Sequence, residues 1–421
     1  MVTFEEFTLE NGLRVIVHED HHVQIAVMNI LYRVGARNES PDRTGFAHLF
    51  EHLMFGGSAN VPSYDEPLQQ AGGENNAFTS NDLTNYYLTV PAANLETGFW
   101  LESDRMMALS FDPRVLSVQQ KVVVEEFKQS YLNRPYGDVW LKFRPMAYHV
   151  HPYQWATIGK EPSHIEQATM EDVRNFFYSH YLPNNAILVV AGHVHVDQVR
   201  RLAEKWFGPL SSGRVAEPAW SLEPEQTAKR ILKVTADVPS HALYKGYHMP
   251  GRLDPTYHAL DLATEMLSRG NSSRLYRHLV REKEIFTGIS SFITASVDPG
   301  LLMFTGRVAG DIKPEEAEKH LDEVVSRFVD EGPTDEEMAK VRNQAETSQG
   351  FGEVEVMNRA YSLAYAAMLG DPGRVNTEID IIQRVSSEDV RRAVRGVIRE
   401  ENSNVLHYHR DKAVTEENQM S

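Results

Sequence analysis

The chain contains no cysteine. Disulfides and thiolate ligands are therefore excluded, and any metal this protein holds must sit on histidine and carboxylate. Long apolar runs are also missing, so no transmembrane helix is expected and no membrane partner. The opening Met1-Val2-Thr3-Phe4-Glu5-Glu6 has neither a basic n-region nor an apolar h-region. A secretory signal is thus absent from the sequence as given, which predicts a cytoplasmic protein, or a periplasmic one if a leader has been trimmed. Positive charge is in deficit: 42 Lys and Arg stand against 59 Asp and Glu, a net charge of −17. Such a balance repels phosphates, so nucleic acid is excluded as a partner, and it attracts cationic peptides.

What is there is length. With 421 residues, the chain is expected to form two domains or more around a core large enough to hold a buried site. The stretch 7–17 alternates and carries Asn11-Gly12, which reads as a β-hairpin. Strands are expected at 26–33, as a pair across 77–90, and at 186–192. Helices are expected at 93–109, at 112–132 opened by Asp112-Pro113, and from the end of the 186–192 strand through Trp206. Between Gly208 and Glu225 proline, serine and glycine accumulate, which predicts an interdomain linker (211–228) between domains at 1–210 and 229–421. Behind it the order repeats: strand 242–249, helix 255–268, a glycine, a helix through Arg281, strands 289–295 and 301–308, and a helix 314–328. The halves overlay at an offset of about 214 residues, which pairs Glu51 with Glu265, Leu53 with Leu267 and Gly56 with Gly270. At that offset His48 falls on Leu262 and His52 on Met266. The second half then reads as the same fold with its polar site erased. The expected class is α+β: two α/β domains, each a mainly antiparallel sheet flanked by helices.

His48-Leu49-Phe50-Glu51-His52 carries the chemistry. A helix is predicted there, with Asp42 or Thr44 as its cap, Phe46, Leu49, Phe50 and Leu53 as its apolar stripe, and Gly56-Gly57 as its end. His48 and His52 are then i, i+4 neighbours with Glu51 beside them. Two imidazoles so placed can hold zinc next to a general base. By chance the pattern H-x-x-E-H arises in about one chain in twenty of this composition, and a polar helix face with two solvated histidines would look the same. Catalytic zinc needs three protein ligands and an open position. The ion lowers the pKa of water and polarises a carbonyl, while Glu51 sits where a base must be. For the third ligand, Glu125 and Glu126 stand out in the apolar run Val122-Val123-Val124-Glu125-Glu126-Phe127. Adjacent helical positions point about 100° apart, so at most one faces the site, and the residues alone do not choose.

The chain resembles the pitrilysin-like zinc peptidases, also called inverzincins for their H-x-x-E-H motif. The match runs from Leu9-Glu10-Asn11-Gly12-Leu13-Arg14-Val15 through Gly45-Phe46-Ala47-His48-Leu49-Phe50-Glu51-His52-Leu53-Met54-Phe55, Asn76-Ala77-Phe78-Thr79-Ser80 and Thr84-Asn85-Tyr86-Tyr87. It continues in Pro183-Asn184-Asn185-Ala186 with Gly192, and in Ser272-Ser273-Arg274-Leu275 with Arg281-Glu282-Lys283. Nearly the whole chain is covered. The resemblance implies one zinc ion per chain held by His48, His52 and Glu126, the last some seventy-odd residues past the second histidine. It implies Glu51 as general base, and two domains that form half of a clam-shell chamber. A glutamate that orients a ligand in relatives is replaced here by Gln119, whose smaller electrostatic contribution implies weaker zinc binding. Asn76, Ala77, Phe78 and Thr79 match the family's substrate-binding edge strand, where a peptide adds as an extra strand.

One departure has consequences for partners. Active relatives place an arginine and a tyrosine over the zinc to stabilise the oxyanion. The arginine matches Arg281, but Thr287 and Gly288 stand where the tyrosine is expected. This predicts a second family subunit that supplies the arginine and tyrosine (a heterodimer), or a homodimer in which another donor substitutes. The leading expectation is a zinc endopeptidase for peptides or unfolded segments. A presequence-processing peptidase and a non-catalytic assembly subunit are the alternatives. The pairs His149/His151, His193/His195 and His407/His409 lack acidic companions in a recognisable pattern and read as bland surface or strand residues, as does the turn at His21-His22.

Overall fold

A computed structural model describes residues 1–216 and 220–411. Its strands are β1 (Glu5–Thr8), β2 (Arg14–Glu19), β3 (Ile25–Tyr32), β4 (Glu74–Thr79), β5 (Thr84–Pro91), β6 (Ala186–Gly192), β7 (Arg230–Ala236), β8 (Ala242–Met249), β9 (Phe286–Ile293), β10 (Gly300–Val308) and β11 (Ser403–Arg410). The α-helices are α1 (Phe46–Leu53), α2 (Asp65–Gln70), α3 (Leu95–Met107), α4 (Pro113–Phe127), α5 (Val139–Ala147), α6 (Ser163–Glu166) and α7 (Met170–His180). They continue with α8 (Val196–Trp206), α9 (Tyr257–Ser268), α10 (Pro314–Glu331), α11 (Asp335–Gly352), α12 (Val356–Met368), α13 (Arg374–Arg384) and α14 (Ser387–Val397). None of the described helices is long and apolar enough to cross a membrane.

Two mixed, mostly antiparallel sheets result, in the orders β1-β2-β6-β3-β5-β4 and β7-β11-β8-β10-β9. Without β1 the first order maps onto the second strand for strand, and β2/β6 and β7/β11 are the parallel pair in each. The duplication read from the sequence is therefore a duplication of topology. Side-chain alternation divides each sheet into two faces. In the first, Met28, Ile30, Leu188 and Val190 face the core under α1, while Val27, Leu31, Ile187 and Val189 face α12. Burial on both faces explains why β6 reads as an unbroken apolar run.

The compact units cross at Ser221/Leu222, and each also holds a segment from the other side of that crossing. One comprises Met1–Ser130, Trp155–Ser221 and Gln349–Glu378; the other comprises Tyr131–Gln154, Leu222–Ser348 and the chain from Ile379 onward. Residues 217–219 of the expected linker lie outside the described residues. Each half has exchanged a segment, for a physical reason. In the first unit α12 lays Ala360, Leu363, Ala364 and Ala367 on the sheet, and in the second α5 does so with Val139, Phe143 and Ala147. Each helix covers an apolar sheet face that would otherwise meet water.

Candidate metal centre

The motif helix α1 has only eight residues and cannot hold itself together by propensity. Tertiary anchors do so. Phe46, Leu49, Phe50 and Leu53 are buried in the core of the first unit. The start differs from the expected Asp42 or Thr44 cap. Gly45 takes the N-cap position at φ 86°, where an added Cβ would meet the Ile158 carbonyl oxygen at 2.6 Å, so glycine is required. The N–H groups of Gly45 and Ala47 donate to the carboxyl of Glu39 at 2.9 and 2.8 Å. Thr44 is engaged elsewhere: its Oγ1 accepts from the Lys160 N–H. Burial pushes the Glu39 carboxyl up to about 8, against the pull of those N–H bonds. No local pattern announces Glu39, because its partners are main-chain groups six and eight residues on.

With the apolar stripe inward, His48, Glu51 and His52 are left half-buried on the other side of α1. Glu126 comes from α4, whose Asp112 caps its own helix by accepting from the Arg114 N–H. Gln120 ties that helix down by donating to the carbonyls of Ile165 and Ala168 at 2.8 and 2.9 Å. Buried Val123, Val124 and Phe127 fix the rotation of α4. Glu126 then faces α1, whereas Glu125 is 60% exposed and pairs with Lys128 at 2.7 Å. Glu126 Oε2 lies 3.7 Å from His48 Nε2 and 3.6 Å from His52 Nε2, and one ligand atom from each of the three residues falls within 4.8 Å of the others. Donors 2.0–2.1 Å from a tetrahedral zinc are about 3.3 Å apart. The two imidazole-to-carboxylate spacings, 3.7 and 3.6 Å, lie close to that value, so the donor set fits such an ion.

The charges suit the same chemistry. Burial drives the His48 imidazole below its ordinary range although Glu126 opposes it. The nearby His52 imidazole, with His48 beside it, holds the Glu126 carboxyl below the usual carboxylate range. A neutral imidazole and an ionised carboxylate are the forms that ligate metal.

Thr79 Oγ1 donates to Glu51 Oε2 at 2.6 Å. Of the expected substrate strand, Thr79 and Ala77 therefore share the side of β4 that faces α1, and Ala77 packs on the core there. Asn76 and Phe78 alternate to the opposite side. Phe78 packs edge-on against Tyr361 of α12 at 5.3 Å, and Asn76 Oδ1 accepts from the Ala77 N–H. β4 is the edge of its sheet. Gln119 lies on α4 with no hydrogen bond to either imidazole among the described residues, and the buried His48 Nδ1 has no partner there. Arg281 belongs to the second unit, exposed in the segment Tyr276–Glu282, and Thr287 Oγ1 bonds the Arg307 carbonyl at 3.3 Å.

Known proteins share this design. Residues 14–147 match the family model described as "Insulinase (Peptidase family M16)" and residues 167–345 the one described as "Peptidase M16 inactive domain". The zinc protease PqqE of Helicobacter pylori is 30% identical over 344 residues, 80% of this chain and 77% of that protein. A solved protease from Helicobacter pylori superposes with a TM-score of 0.91 at 26% identity, covering 97% of this chain and all of that one. The periplasmic protease PqqL of Escherichia coli superposes at 0.80 and 17% identity, and 98% of this chain covers 48% of that chain. The latter likeness is one of fold. Matched in sequence across both of its halves, the chain belongs to peptidase family M16, the pitrilysin-like zinc peptidases, in their short two-domain form.

Proposed function

We propose that this chain is a zinc-dependent endopeptidase, with His48, His52 and Glu126 as metal ligands and Glu51 as general base. The observation that carries the reading is the convergence of two imidazole nitrogens and a carboxylate oxygen from two helices, with a fourth, unshared carboxylate beside them. When bound, zinc supplies Lewis acidity that makes a water a better nucleophile and a carbonyl a better electrophile. The protein's own groups do the rest. Glu51 takes the proton of the attacking water and delivers it to the departing amine. Thr79 keeps the Glu51 carboxylate turned toward that water by holding one of its oxygens, so the carboxylate is a base and not a fourth ligand. The edge of β4 offers unpaired main-chain groups, and a peptide in extended form adds there as a further strand. Its side-chain contacts would be with Asn76 and Phe78 on one side and Ala77 and Thr79 on the other. In this reading Gln119 on α4 is the residue that would orient a ligand.

In this reading a second family subunit provides the arginine and the tyrosine that bind substrate and oxyanion, or, in a homodimer, Arg281 contacts substrate and Thr287 or another donor stands in for the phenol. Support comes from Thr287 and Gly288 at the expected tyrosine position, and from PqqL, whose chain is about twice the length matched here. Glu51→Gln tests the core of the reading. Metal content is expected to stay while turnover of a peptide substrate falls by several orders of magnitude, on the order of 10³ or more. Retained turnover would remove Glu51 as the base.

A further inference from the structure

We propose that Glu19, His21 and His195 form a second divalent-metal site, suited to a late first-row cation such as zinc, at the end of the first sheet opposite the metal centre. The parallel pairing of β2 and β6 makes the site. It puts Glu19 in register with Gly192, so the residues that leave both strands, 20–22 and 193–195, come out side by side. Neither stretch shows this in sequence, because they are far apart along the chain.

The donors converge as closely as those of the first centre. His21 Nε2 is 3.1 Å and His195 Nδ1 4.0 Å from Glu19 Oε2, and the three ligand atoms lie within 4.8 Å of one another. These spacings bracket the value of about 3.3 Å between ligands of a tetrahedral zinc. The surroundings orient the set. The Val196 N–H, at the start of α8, donates to the other carboxylate oxygen of Glu19 at 2.7 Å, which leaves Oε2 directed at the imidazoles. His193 stands edge-on to His21 with ring centres 5.2 Å apart, and its Nδ1 donates to the Val23 carbonyl at 2.9 Å, which leaves Nε2 with a free lone pair. Asp20 is not available: its carboxylate accepts from the His22 N–H and pairs with Arg359.

Two imidazoles and one carboxylate select zinc, copper or nickel over magnesium and calcium, which prefer all-oxygen shells. His21 is 46% and His195 69% exposed, so the cation exchanges with solvent and water completes its shell. The separation from the first centre is large. Ala26, paired with Gly192, and Tyr32, at the other end of β3, are six strand residues apart, roughly 20 Å at about 3.3 Å per residue. The site is therefore independent of Glu51 and its neighbours, and occupancy would clamp the ends of β2 and β6 to the first turn of α8.

The test is equilibrium dialysis of the full chain against zinc chloride, followed by metal counting, for the parent and for His21→Ala combined with His195→Ala. The double variant is expected to bind one equivalent fewer, and its Tm to gain less from added zinc. Repeating the pair in a His48→Ala, His52→Ala background separates this site from the first centre: the difference of one equivalent should persist there. Because His195 is the most exposed of the three, His195→Ala alone serves as a conservative variant, with at least about tenfold weaker binding expected at this site. Equal stoichiometry and equal affinity in parent and variants would overturn the proposal.

Discussion

Helices α1 and α9 hold the same place against two sheets of the same strand order, yet α1 presents His48, Glu51 and His52 where α9 presents Leu262, Glu265 and Met266. The difference extends beyond the helix. The offset that pairs the two glutamates also sets Thr79 against Ile293 on β9 and Glu126 against Lys340 on α11. Apart from Glu51, every polar element of the proposed centre thus has a counterpart that cannot replace it. Leu262 and Met266 are buried in the core of the second unit, Ile293 packs against that core, and Lys340 donates to the Arg269 carbonyl and to Ser272. Glu265 alone keeps its type, and it pairs with Arg269 instead of a threonine. The proposed centre thus lies on a short, externally anchored helix whose polar side is left uncovered, whereas the longer α9 buries the corresponding side.

The comparison breaks most visibly at the third ligand. Glu126→Ala is expected to weaken zinc binding by about 100-fold or more, and peptidase activity with it, whereas Glu125→Ala should leave both near the parent value. Metal retained after dialysis against a chelator is the measurement, and equal loss in the two variants would show that the facing of α4 is misassigned. The reverse exchange is the second test. Leu262→His with Met266→His puts two imidazoles on α9 but supplies no acid, since Lys340 stands at the third position. It should destabilise the second unit by about 3–6 kcal/mol through unsatisfied polar groups in a packed core, without binding added zinc. Gain of a metal equivalent would show that two histidines on this scaffold suffice.

Much of this was legible in the sequence. β6 falls on 186–192 as read from its apolar run, β8 falls on the expected 242–249, and the helix at 46–53 follows from its stripe. What the sequence hid is whatever depends on distant chain. β7 and β11 were not expected, and β11 is an interior strand only because the chain returns after α14 to insert it between β7 and β8. The exchange of α5 and α12 was likewise hidden, since an apolar stripe does not say which sheet it will cover. At the site, the Glu125/Glu126 alternative resolves through packing of Val123 and Phe127, and Glu39 carries no local signal because it caps a helix from outside the capping positions.

Glu39 sharpens the comparison, because α9 has no buried acid at its start among the described residues. Glu39→Ala should cost about 2–4 kcal/mol by leaving two N–H groups without an acceptor. The pH dependence has a definite sign. The carboxyl titrates near 8 in the folded chain and near 4.5 when unfolded, so the folded state holds a proton that the unfolded state releases between those values. Its contribution is present in full below about 4.5 and is lost as pH rises through 8. The thermal stability of the first unit should accordingly fall from pH 5 to 8 in the parent and stay flatter in Glu39→Gln. An unchanged slope in that variant would assign the alkaline loss to other groups.

The smallest effect is the most specific one. Thr79→Val keeps the volume and the β-branched shape that suit a strand, and removes only the hydroxyl that donates to Glu51. A hydrogen bond to a charged group contributes about 1.5–3 kcal/mol, but water can take part of its place at a half-buried carboxylate, so a fall in kcat of about tenfold is expected, with zinc content unchanged. Because the bond positions the base without touching substrate, KM should move little, and Thr79→Ser should restore most of the loss. A rise in KM with kcat intact would instead place Thr79 on the peptide. In the second half Ile293→Thr supplies the matching control: the hydroxyl arrives on β9 at the position that corresponds to Thr79, while the corresponding glutamate, Glu265, already pairs with Arg269, and neither metal content nor turnover should respond.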